Sequence, residues 1–139
     1  MTLTEFFAYL EAPLANQRWS WGAVRPSDGA VLLRVWQDEQ RKMDGAWFTQ
    51  VTFTEFSKEN PSSRGYAERL GHVELIRSGA PSYMVMCQAR DVHANPREVA
   101  SFDRNDVFVG GRLVDIEGNY WLERSARRPA SSIRLKAQS

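Results

Sequence analysis

The chain has 139 residues, 42% hydrophobic and 12% aromatic, which is one domain's length with enough apolar material to close a core without metal or disulfides. Eighteen basic residues against seventeen acidic leave a formal charge of +1, so no overall field marks a nucleic-acid or membrane partner and local placement must carry that argument. Cys87 is the lone cysteine, which excludes an intramolecular disulfide and a thiolate zinc site.

The start, MTLTEFFAYLEAP, puts no basic segment ahead of a long apolar run, and nowhere do eighteen apolar residues occur together; the chain reads as cytoplasmic with no membrane partner. Thr2 and Glu5 fit a capping box, and Leu3, Phe6, Phe7 and Leu10 give a helix with one apolar stripe that Pro13 ends. Residues 16–39, NQRWSWGAVRPSDGAVLLRVWQDE, then read as a hairpin around Pro26-Ser27-Asp28-Gly29. Alternation sets Trp19, Trp21 and Ala23 on one face, with Trp36 facing opposite to Val35 in the return strand. Residues 38–45 read as a charged connection closed by the turn dipeptide Asp44-Gly45, and 46–53 as a third strand.

The polar run TEFSKENPSSR reads as a loop. A second helix is expected from about Ser63 to Ser78, with Tyr66, Leu70, Val73 and Ile76, joined by Ala67 and Leu75, as its seam and Gly79 as its stop. Gly71 in its middle implies close packing on a sheet. Residues 82–91, SYMVMCQARD, are apolar on both faces and belong at the centre of a sheet. Asn95-Pro96 turns the chain, 98–102 forms a short strand, and 107–116 with 119–125 forms a second hairpin around Glu117-Gly118-Asn119, with a bulge at Gly110-Gly111. After Glu123, Arg124, Arg127, Arg128, Arg134 and Lys136 have no acid near them in sequence. The expected organisation is one domain over 1–125 and a basic flexible tail over 126–139. The element order gives an α+β fold around a strongly bent, mostly antiparallel sheet or partly open β-barrel with two helices.

His72 and His93, in a helix and a loop, supply almost no material for a metal or triad site, and Cys87 in an apolar strand reads as a buried inert thiol. No phosphate loop or dinucleotide fingerprint is present. The acidic pairs Asp38 with Glu39, Asp103 with Asp106, and Asp115 with Glu117 read as solvated turn acids. No catalytic residue, metal or cofactor is assigned. The most informative set is Trp19, Trp21 and Trp36 with Arg18, Arg25 and Arg34 interleaved: indole faces on which a base can stack, beside guanidinium groups for its phosphates. The same tryptophans would also serve as core, because each buries a large area. By strand parity Trp21 and Trp36 are the ligand-facing pair, and Trp47 and Trp121 belong to the core. The fifteen arginines against three lysines fit forked recognition of phosphates and base edges, or a GC-rich genome.

The segments FFAYLEAPLANQRWSWGAVR, GAVLLRVWQDE and SYMVMCQARD, followed by a closing hairpin, resemble in order the layout of PUA-like domains, the superfamily with EVE, ASCH, YTH and SRA branches; the local likeness is confined to WSWGAVR and VLLRVWQD. That resemblance implies a small barrel that holds a modified or flipped base in an aromatic pocket, often within bacterial restriction or RNA-modification systems. No site residue is carried over from it. The leading expectation is thus a non-enzymatic module that binds DNA or RNA through Trp19, Trp21 and Trp36, with Arg18, Arg34, Arg124, Arg127 and Arg128 holding the backbone. Two rivals stand beside it: a protein-interaction or regulatory subunit of a defence or counter-defence system, and a metal-dependent hydrolase using Asp103, Asp106 or Asp115.

Overall fold

The computed structural model describes residues 1–136. The Thr2 side chain caps α1 (Leu3–Tyr9) by accepting from the Glu5 N–H, and the Glu5 carboxylate accepts from the Thr2 N–H, so both halves of the capping box form. Asp28 closes the first hairpin, between β1 (Gly22–Val24) and β2 (Val31–Trp36), by accepting from the Ala30 N–H, while Gly29 supplies the positive φ of 76° that the exit requires. The hairpin is anchored by Arg25, almost wholly buried, whose guanidinium pairs with Asp28 and donates to the carbonyls of Leu10 and Ile133. That ties the turn to both ends of the chain.

The charged stretch after β2 is a strand rather than a connection: β3 (Gln40–Met43) pairs antiparallel with β4 (Ala46–Gln50) through the Asp44-Gly45 turn, both of whose residues have positive φ. The polar run that follows is not a loop either. It contains α2 (Thr54–Glu59), a helix with no buried residue and hence no apolar stripe to betray it. Ser63 then caps α3 (Arg64–Arg77), and Gly79 ends it at φ 110°.

The buried face of α3 differs from the expected seam. Tyr66, Val73 and Ile76 are buried as expected, but they share that face with Gly65, Arg69 and His72, while Leu70 is 47% exposed and Leu75 and Ala67 also face outward. Three polar or small residues on the inner face rotate the apolar pattern away from the real contact. Gly71 is exposed with open space where a Cβ would sit, so it is not a close-packing glycine.

The remaining strands are β5 (Ser82–Ala89), β6 (Val99–Phe102), β7 (Asp106–Ile116) and β8 (Asn119–Pro129). All eight form one mixed open sheet in the order β1-β2-β5-β7-β8-β4-β3, with β6 pairing β5 beside β7. The α+β class holds, with three helices rather than two, and the sheet does not close into a barrel. The pairing of β2 with β5 is parallel, made possible by the long crossover through β3, β4, α2 and α3. As expected, β5 is central, and Gly110 lies at the register shifts in the β7–β8 ladder.

Parity along β2 and β5 divides the core between the two faces of the sheet. Leu32, Val85 and Cys87 pack with Phe6, Phe7 and Leu10 of α1 and with Ala130 and Ile133, whereas Val31, Leu33, Val35 and Met84 pack with Val73 and Ile76 of α3 and with Leu122. The expected tail boundary at 126 falls inside β8. The strand continues to Pro129, and a 3-10 turn, Ala130–Ile133, buries Ala130 and Ile133 against α1. Residues 137–139 of the expected tail lie outside the described residues. Among the described residues no helix is long and apolar enough to cross a membrane.

Candidate functional site

Where the loop before β1, the end of β2, α2, the start of α3 and the 94–98 loop meet lies a cleft of about 770 Å³, within the range of small-ligand sites. Trp19, Trp21, Trp36, Arg18 and Arg34 all line it. Strand alternation alone does not explain this convergence. Trp19 lies in the turn before β1, where Asn16 Oδ1 accepts from the Arg18 and Trp19 N–H groups, and Trp21 lies just before the strand begins. Ala23, expected on the same face as both, packs instead on the α1 side. The loop is held by α3: the Glu68 carboxylate accepts from Ser20 Oγ at 2.8 Å and from the Trp21 N–H at 2.9 Å. Glu68 therefore serves this loop rather than an ion pair with His72, one turn along the helix.

Trp21 is fixed edge-on by Phe56 of α2 at 5.1 Å and by Tyr66 of α3 at 5.8 Å between ring centroids. Gly65 lets the start of α3 pass over it; a Cβ there would meet the indole nitrogen and come within 2.5 Å of the Trp19 carbonyl. Beneath the cleft, Arg69 is 2% exposed and donates to the carbonyls of Val51, Trp21 and Arg34 at 3.1, 2.9 and 2.6 Å, so one guanidinium ties together the end of β4, the entry to β1 and the middle of β2. Burial pushes its pKa down to about 9. The opposite wall is the β5–β6 loop, in which Arg97 pairs with Asp38 and Glu39 at 2.7 and 3.1 Å and lies 5.5 Å from the Trp36 ring centroid. Asn95 of that loop donates to Glu59 of α2.

Arg34 differs from these other cations. It lies 5.9 Å from the centre of the Trp36 ring, and among the described residues no carboxylate pairs with it; burial lowers its pKa, with the Glu68 charge among the influences opposing. A desolvated guanidinium without a partner favours any ligand that brings it an acceptor. Glu39, also in the lining, is pushed above its usual range by burial, with the Arg97 charge working against the shift.

The structure does not bring the β8 arginines to this cleft. Arg124 donates to Gln40 and lies over Phe108 at 4.4 Å, Arg127 pairs with Asp106 and Asp103, and Arg128 reaches the Ser132 carbonyl. The acids that sequence alone did not supply come from β7 and the turn before it. Trp121 is buried, at 7% exposure, but Trp47 is not core: it is 45% exposed on the short outer hairpin, where no layer covers that face.

Among the described residues no three His, Cys, Asp or Glu side chains converge, and Asp103 and Asp115, at opposite ends of β7, are occupied as acceptors from backbone N–H groups. Cys87 is buried with its pKa pushed up to about 12, the condition of an inert thiol. Gly65, Phe53, Phe56, Arg69 and the 94–98 loop belong to the cleft although sequence reasoning did not select them. No local signal announces them, since α2, α3 and the loop meet the tryptophans only through tertiary packing. No family model, curated protein or solved structure matches this chain.

Proposed function

We propose that the protein binds nucleic acid without acting on it chemically, taking an unstacked or flipped base into the cleft between Trp21 and Trp36. The observation that carries this reading is the convergence of Trp19, Trp21, Trp36, Arg18 and Arg34 on one cleft, with Arg34 left without a carboxylate inside it. Indole faces suit any base, because every base has a π-face, and Arg18 and Arg64, both exposed among the lining residues, are placed to neutralise the flanking phosphates. Kinship with PUA-like base-binding domains, and a modified base as the natural ligand, belong to the same proposal.

The test is affinity for single-stranded, duplex and methylated oligonucleotides by fluorescence anisotropy, comparing the native chain with Trp36→Ala. One lost stacking face should weaken binding about five- to more than a hundredfold in a variant that still unfolds cooperatively, with some loss of melting temperature because Trp36 also packs against the α1-side core. A folded variant that binds every probe as the native chain does would sink the proposal. A protein partner is the second reading, and the outward-facing Leu70 and Leu75 of α3 favour it.

A further inference from the structure

Resting on that reading, we infer that the base held in the cleft is guanine, read by the Arg34 fork on its O6/N7 edge and by the Glu39 carboxylate on its N1/N2 edge.

Most polar side chains of the lining are engaged by the protein itself, although Trp19 Nε1 and Arg69 Nε are buried without partners. Arg69 donates to three carbonyls and Arg97 to two carboxylates. Gln50 gives its amide nitrogen to the Thr52 carbonyl, and Asn119 Oδ1 accepts from the Thr54 N–H. Ser63 Oγ accepts from the Tyr66 N–H. Two groups with capacity to spare remain on the wall that carries Trp36. Arg34 precedes Trp36 by two residues, on the same side of β2, and offers a planar pair of donors. Glu39 follows in the β2–β3 turn; Arg97 approaches its Oε1, and among the described residues Oε2 has no partner.

A forked donor and a carboxylate beside one aromatic ring make a complementary pair for a base with two adjacent acceptors along one edge and two adjacent donors along another. Guanine meets both conditions. Adenine places an amino group beside N7, so it turns a donor toward the fork. Cytosine can offer N3 and O2 to the fork but has only one exocyclic amine for the carboxylate, and thymine and uracil lack paired donors. A lysine in place of Arg34 would keep the charge and lose the fork, which separates edge reading from simple attraction to phosphate.

The experiment uses the full chain and a short oligothymidine strand whose central position carries guanine, 7-deazaguanine, adenine, cytosine or thymine, with affinities read by calorimetry. One good bidentate contact is worth about five- to 150-fold in discrimination, so the guanine strand should bind tighter than the others by a factor in that range. The 7-deaza strand should lose most of the advantage. Arg34→Lys and Glu39→Gln, checked for unchanged melting, should each bring the ratio of guanine-strand to thymine-strand affinity toward one. Equal affinity for all five strands, or preference for adenine or cytosine, overturns the guanine assignment and leaves the aromatic cleft standing. Failure of every strand to bind overturns both.

Discussion

Replacing Arg69 with Met should destabilise the protein by about 3 kcal/mol and loosen the cleft. Methionine keeps the unbranched apolar stem but cannot donate, so the carbonyls of Val51, Trp21 and Arg34 each lose a charged donor at 2.6 to 3.1 Å. Leaving a buried acceptor short costs about 1–3 kcal/mol apiece. The low end applies, because the Trp21 carbonyl also accepts from the Arg34 N–H at 2.9 Å and keeps that bond. Relief of the buried cation works the other way: a guanidinium whose pKa has been pushed down to about 9 gains by being removed. Three acceptors at about 1 kcal/mol each give the estimate, which corresponds to roughly 10 °C in melting temperature for a domain of this size. Urea and thermal unfolding of Arg69→Met would measure it. A loss below about 1 kcal/mol, or a gain, would mean that desolvation of the cation outweighs its three bonds and that Arg69 is not the clamp of the site.

Leu70→Ala should cost less than about 1 kcal/mol because the side chain is half exposed, whereas Leu122→Ala, fully buried in the α3-side core, should cost about 2–5 kcal/mol by urea unfolding; the reverse order would misplace the face of α3. Gly65→Ala should cost about 1–3 kcal/mol and weaken oligonucleotide binding, since the added methyl group meets the Trp21 indole and the Trp19 backbone; unchanged melting and affinity would show that the contact yields freely. Burial, reinforced by Arg69 and opposed by Glu68, holds His72 below the usual 6.5, so the unfolded chain takes up a proton that the folded chain resists. Stability should therefore fall as pH drops below about 6.5 and level off once the folded pKa is passed, and His72→Gln should remove that part of the decline; parallel melting-temperature curves for the two proteins would refute it.

The elements that could be read from the chain are those whose boundaries rest on local chemistry. Thr2 with Glu5, Asp28 with Gly29, Ser63, Gly79 and Glu117-Gly118 each place a cap or turn where the structure has one. What escaped depends on partners distant in sequence. α2 shows no apolar stripe because its Phe56 packs on Trp21 at the cleft rather than in the core. The inner face of α3 carries Arg69 and His72, which only a set of waiting carbonyls and a buried layer make tolerable, so the leucines at 70 and 75 looked like its seam. β8 runs on past Ser125 because residues 126–129 pair with the start of β7, where the Arg127 side chain also reaches Asp103 and Asp106, a pairing invisible along the chain. At the site, the tryptophans and arginines near the first hairpin were legible as a set because few other chemistries need that alternation, while the arginines of β8 carried the same charge without the same place. Trp47 shows the limit of parity: alternation says which residues share a face, not whether anything covers it.

The five tryptophan indoles give five independent reporters, and a nitrogen-15 correlation spectrum during titration with a single-stranded oligonucleotide reads them all at once. Base binding in the cleft should shift the indole N–H signals of Trp19, Trp21 and Trp36 and leave those of Trp47 and Trp121 in place. Shifts confined to Trp47 or Trp121, or no shift at oligonucleotide concentrations where binding saturates, would contradict the assignment of the cleft as the site.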